Sequence, residues 1–112
     1  MQPAIGTKSA TEFDITVTPT NNVNVKCGVY ASDAVAPTAD QVYANTGNSN
    51  AAVGAPNGPV VTPVEGTAGG AGVQISITLT GLTASTLYDV YCATNDGTKV
   101  LSTVINDEST DA

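Results

Sequence analysis

There is no histidine and no tryptophan in this chain of 112 residues, and phenylalanine occurs once. The lack of histidine excludes Ser-His-Asp and Cys-His nucleophile pairs and the usual zinc sites. The two cysteines, Cys27 and Cys92, stand too far apart in sequence to form a Cys-x-x-Cys redox pair. The glycine-rich runs contain no basic residue, so no phosphate-cradling loop is present. Positive charge is almost as scarce: 3 Lys and Arg face 10 Asp and Glu, for a formal net charge of −7. Such a balance repels a phosphate backbone and an anionic membrane surface, so nucleic acid is not expected as a partner. No apolar run approaches the ~20 residues of a membrane helix, which argues against membrane insertion. Met1-Gln2-Pro3-Ala4 has neither a basic n-region nor an apolar h-region, so no signal peptide is expected there. There is no Asn-x-Ser/Thr sequon, and N-glycosylation is not expected.

What the chain has in quantity is 17 Thr and 14 Val. Branching at Cβ suits a pleated strand better than a helix. The clearest pattern is Val73, Ile75, Ile77 and Leu79 alternating with Gln74, Ser76, Thr78 and Thr80. A period of two places the apolar set on one face of a strand. Glu12 to Thr18 alternates in the same way around Phe13, Ile15 and Val17. Val23, Val25, Cys27 and Val29 share one phase in the next strand, after the turn cluster Pro19-Thr20-Asn21-Asn22. These two strands read as a hairpin-like pair. Gly81-Leu82 ends the 73–80 strand, and Leu87 to Ala93 starts another. Residues 1–10 are expected to include an edge strand, Pro59 to Val64 a second short one, and Lys99 to Ile105 the last, entered through the turn Asn95-Asp96-Gly97. Thr38 followed by Gln41 fits a capping box behind Pro37, which predicts one or two helical turns from about Ala39 to Ala44. The Gly-, Asn- and Pro-rich insert 45–72 has no core-forming pattern and is expected to be the least ordered internal region.

The run Gly81-Leu82-Thr83-Ala84-Ser85-Thr86-Leu87-Tyr88-Asp89-Val90-Tyr91 resembles the link between sheets in fibronectin type III domains. The resemblance covers roughly Glu12 to Ile105. It is nearest to the variants of microbial or protist surface proteins, in which a segment like Ala36-Pro37-Thr38-Ala39-Asp40-Gln41-Val42 follows the third strand. It implies an all-β, immunoglobulin-like sandwich of about seven strands in two sheets, with one short helix near 39–44. Residues 1–105 would form that single domain, and 106–112 an acidic tail or linker. The chain departs from animal modules in its longer insert, and it lacks the tryptophan that packs their core. It also lacks an Arg-Gly-Asp sequence.

In this family a tyrosine at the position of Tyr88 forms a tyrosine corner, its hydroxyl bonding backbone near Leu82. The resemblance also makes the strands of Cys27 and Cys92 antiparallel neighbours in one sheet, which implies a disulfide; two free, buried thiols are the competing reading. Tyr91 has the opposite phase to Tyr88 and should meet solvent or a neighbouring element. Tyr30 and Tyr43, if partly exposed, could stack on sugar rings or cover the core edges. Asp33, Asp40, Asp89, Asp96 and Asp107 could offer oxygen to calcium, but none falls in a calcium-loop spacing. Lys8 and Asn106 have the residue types of surface-protein domains that close a Lys–Asn isopeptide bond, with no buried acid identified. No catalytic residue, cofactor or metal is expected. The leading reading is a non-catalytic structural or spacer module, extracellular or on the cell surface, with neighbouring domains as partners. The alternatives are a glycan- or protein-binding adhesion module using the 45–72 insert, and a subunit that assembles by edge-strand addition.

Overall fold

The computed structural model describes residues 2–32, 38–44, 60, 61, 63–94 and 105–112, without the side chains of 40, 41, 44, 106 and 107. Strand β2 (Phe13–Val17) lies between β1 (Ala4–Lys8) and β5 (Ile75–Leu79). Its ladder with β5 runs without interruption from Phe13↔Leu79 to Val17↔Ile75. That register puts Phe13, Ile15 and Val17 beside Leu79, Ile77 and Ile75 on one face. The second sheet has the order β4 (Val64–Gly66), β3 (Val25–Ala31), β6 (Leu87–Thr94), β7 (Ile105–Ser109). All these pairings are antiparallel. The protein is therefore all-β, a sandwich of two sheets, with one short helix, α1 (Ala39–Ala44). In α1 the Val42 N–H bonds to the carbonyl of Thr38 at 3.0 Å.

The main core lies between the sheets. Phe13, Ile15, Val17, Ile75, Ile77 and Leu79 from the first meet Val25, Cys27, Val29, Tyr88, Val90 and Cys92 from the second. Burying each large apolar side chain is worth about 1.5–3 kcal/mol, so the period-two pattern is the main driving force for this layer. Phe13 and Tyr88 meet edge to face across it, with ring centroids 6.1 Å apart.

Several expectations are corrected. The strands at 12–18 and 23–30 are not a hairpin pair: β2 belongs to one sheet and β3 to the other. Both have one inward apolar phase, and that phase is equally satisfied when the chain crosses the core. Residues 106–112 are not a loose acidic tail. Residues 106–109 belong to β7, and Thr110 is buried. The Thr110 hydroxyl donates to the Thr83 carbonyl at 2.7 Å and accepts from the Thr86 N–H at 3.1 Å, while the Asp111 N–H bonds to the carbonyl of Ser9. The segment has no apolar alternation because its order comes from backbone pairing. The edge strand expected at 59–64 is displaced to Val64–Gly66. The turn 95–97, residues 99–104 and most of the 45–72 insert lie outside the described residues.

The two sides of the sandwich are closed differently. At one, the Lys8 ammonium of β1 bonds to Glu108 of β7 at 2.9 Å and to the Ser109 carbonyl at 2.8 Å. At the other, β4 approaches β5 so closely that only glycine fits at position 66: a Cβ there would collide with Ile75 and stand 2.8 Å from Ile77 Cγ1. Gly66→Ala should cost about 1–3 kcal/mol, the usual range for overpacking. A urea midpoint equal to that of the parent protein would show that β4 can move aside.

Candidate functional site

The feature with covalent chemistry is the pair Cys27 and Cys92. Cys27 has the inward phase of Val25 and Val29, and Cys92 that of Tyr88 and Val90. The β3–β6 register sets them directly opposite each other. Their Cα atoms are 4.0 Å apart and the sulfurs are bonded. The reading of two free thiols is therefore set aside. With 65 residues of separation, the chain-entropy model assigns the bridge about 4 kcal/mol of stabilisation. Neither cysteine is exposed at all.

Tyr88 is the second residue of β6, and its ring enters the core. Its hydroxyl accepts the N–H of Thr83 at 2.9 Å. The corner thus closes near Leu82, on the amide of the next residue, Thr83. Leu82 contributes its buried side chain to the same corner and its N–H to the Thr11 carbonyl. Tyr88→Phe leaves the ring in place and deprives the Thr83 amide of its acceptor. A loss on the order of 1 kcal/mol is expected in chemical denaturation, with the slope unchanged; an unaltered midpoint would mean that water replaces the phenol at no cost.

The remaining tyrosines do not form an exposed platform. Tyr30 and Tyr91 sit on the outer face of the second sheet, edge to face at 5.6 Å, and pack with Val42 of α1 and with Ala93. Tyr30 is fully buried and Tyr91 is 8% exposed. Gly28, on the same face, leaves room for the Tyr30 ring, whose Cε1 would stand 3.1 Å from a Cβ at that position. Tyr43 is half-buried, and Lys26 covers its ring at 5.4 Å. The Lys26 ammonium also donates to the Tyr43 carbonyl, and the Tyr43 hydroxyl donates to the Asn24 carbonyl at 3.4 Å. These contacts bind α1 to β3.

Burial, and secondarily the charge of Asp89, pushes the Tyr91 phenol above its ordinary value of 10.0. The unfolded chain therefore loses this proton at lower pH than the folded one. By linkage, the contribution is intact below about pH 10 and is lost as pH rises through the raised value. Stability of the parent protein should fall more steeply above about pH 10 than that of Tyr91→Phe. Parallel alkaline slopes in pH-dependent denaturation would assign the effect to other groups.

The third feature is an open polar recess of about 290 Å³ on the outer face of the first sheet, lined by Thr7, Lys8, Ser9, Glu12, Asp14 and Thr78. Asp14 is its centre. Its two carboxylate oxygens accept from the hydroxyls of Thr7, at 3.3 Å, and Thr78, at 2.9 Å, on the strands to either side. Its polar groups therefore join β1, β2 and β5. No protein-family model matches this chain, and no curated protein matches it. The geometry therefore stands alone as the guide to function. Among the described residues no three His, Cys, Asp or Glu side chains converge as metal ligands. Of the calcium candidates, Asp89 is buried in β6, while Asp33 and Asp96 and the side chains of Asp40 and Asp107 lie outside the described residues. The Lys8 ammonium is bound to Glu108; the side chain of Asn106 is likewise outside them.

Sequence reasoning found both cysteines and Tyr88 through their phase and the quoted resemblance. It missed the Thr7–Asp14–Thr78 ladder and the clasp at Thr110. The first was foreshadowed by Asp14 and Thr78 occupying the outward phase of their strands. The second had no local signal.

Proposed function

We propose that this chain is a non-catalytic structural module, a fibronectin type III-like spacer of an extracellular or cell-surface protein, with neighbouring domains as its partners. The observation that carries this reading is the path of the chain. Ala4 enters beside Thr16 and Ser76, at one end of the first sheet. The other end of those strands holds Lys8, Phe13 and Leu79, and there Asp111 is tied to Ser9. The chain comes in at one pole and leaves at the other, so copies or neighbours joined in tandem extend instead of folding back.

Two further observations support the family reading, and two more bear on the compartment. In the immunoglobulin-type sandwich the first, second and fifth strands share one sheet, and the third, sixth and seventh share the other. The orders β1-β2-β5 and β3-β6-β7 follow that division, with β4 added beside β3. The Tyr88 hydroxyl bonds backbone five residues upstream, as a corner tyrosine does. The disulfide suits an oxidising compartment. Among the described residues no helix is long and apolar enough to cross a membrane. Both facts are compatible with secretion.

Small-angle scattering on one, two and three copies joined in tandem tests the reading. The maximum dimension should grow by a nearly constant increment per copy, with a constant cross-section. Copies that collapse into a cluster, or a specific hit for the single module on a glycan array, would replace the spacer reading with an assembly or adhesion role.

A further inference from the structure

We propose that tension applied at the ends opens this module in two stages, separated by the Cys27–Cys92 cross-link, and that only the first stage makes the cross-link available to thiols. The biological meaning of this inference rests on the spacer reading; its test does not.

The cross-link lies within the second sheet. It joins β3 and β6, the two middle strands of the second sheet. The covalent loop it closes contains α1, β4 and β5 entirely. Outside the loop lie β1, β2 and β7. A pull on the ends is therefore carried from β2 to Cys27, across the sulfurs to Cys92, and out through β7. The part of the chain between the cysteines bears no tension while the bridge holds. The separation of 65 residues, at the ~3.3–3.6 Å that an extended residue spans, withholds about 220 Å of chain.

The strands nearest the two ends lie at sheet edges. Among the described residues, β1 and β7 are outer strands of different sheets, each with one strand neighbour. In β1 only Ile5 is even partly buried. Among the described residues, the two strands are tied by the surface pair Lys8–Glu108 with the Ser109 carbonyl, and directly beyond them by the Asp111 N–H on the Ser9 carbonyl; exposed ion pairs contribute little. Tension is then passed to β2, and β2 supplies Phe13, Ile15 and Val17 to the core cluster that encloses the sulfurs. Pulling β2 away removes one wall of that enclosure. In the intact fold both cysteines are wholly inaccessible.

Once uncovered, the bridge can exchange with a small thiol. A thiolate attacks one cysteine sulfur, the S–S bond breaks, and the other cysteine leaves as a thiolate that takes up a proton. A second thiol then displaces the first cysteine from the mixed disulfide. In sum, two thiols are oxidised to a disulfide and the protein's disulfide is reduced to two cysteine thiols. The withheld 220 Å is then free to extend.

Force-clamp spectroscopy on the full chain, held between marker modules at its two ends, decides the matter. Without thiol, each module should lengthen in one step that falls about 220 Å short of full extension. With a small thiol such as dithiothreitol, a second step of about 220 Å should follow the first and never precede it. In the unstretched protein, alkylation and intact-mass analysis should show cystine reduction at least a hundredfold slower than in denaturant. Full extension in one step without thiol, or reduction of the unstretched fold at the denatured rate, would overturn the proposal. Protein fully reduced before stretching supplies the reference for full extension, and the Cys27→Ser/Cys92→Ser variant gives an independent reference if it folds. Two-stage lengthening combined with clustering of tandem copies in scattering would sink the spacer reading and leave this inference standing.

Discussion

The ladder between β3 and β6, which runs from Val25↔Thr94 to Ala31↔Tyr88 with a covalent bond in its midst, is the element that the other parts of the fold lean on. It is covered on both faces. The inward residues Val25, Cys27, Val29, Val90 and Cys92 meet the first sheet, and the outward residues Tyr30, Tyr91 and Ala93 meet α1. β4 and β7 attach to its two edges. A strand pair buried on both sides cannot slip by one residue without exchanging its two apolar sets, and here the cross-link at Cys27↔Cys92 forbids slippage outright.

A chain with five aromatic residues has little room for waste. Phe13 and Tyr88 meet in the main core, Tyr30 and Tyr91 in the layer beneath α1, and Tyr43 holds the helix to β3 through Lys26 and Asn24. Each edge-to-face pair adds about 0.5–1.5 kcal/mol beyond its area. The tyrosines that would offer a surface for sugars are thus consumed in packing, which leaves the outer face of the first sheet to hydroxyls and the Asp14 carboxylate. Such a face suits a module whose task is to keep its shape.

The seams between the sheets use what the composition leaves available. One side relies on the absence of a side chain at Gly66, the other on Lys8, one of only three basic residues in the chain. At the exit pole, Thr110 and Asp111 bind the 83–86 turn and Ser9 through backbone groups and one hydroxyl. This closure accounts for the two poles of the chain being distinct, and the spacer reading depends on that distinction.

Much of the fold was legible in the residues. Alternation in 13–17 and 75–79, the shared phase of Cys27 with its valines, and the Thr38 signal for a helix at 39–44 all express local backbone geometry, and all appear in the structure. Tyr88 and the disulfide were legible with the help of the family resemblance. Other features belonged to the tertiary structure alone. Periodicity tells a strand which face is apolar, but not which strand lies beside it, so β2 and β3 looked like partners and fold into different sheets. Ile105–Ser109 carries acidic residues with no apolar alternation, and its place as a strand comes from backbone pairing with β6, from Ile105 against the core and from the bonds of Thr110 and Asp111 that follow it. Tyr30 and Tyr91 read as partly exposed or outward until α1 covers them. By itself the sequence determined the faces of its strands, the place of its helix and the inward aim of its cysteines, because these follow from neighbours a few residues apart. Strand partners, the seams and the two poles were decided by tertiary structure, because they depend on contacts between residues such as Lys8 and Glu108, a hundred positions apart.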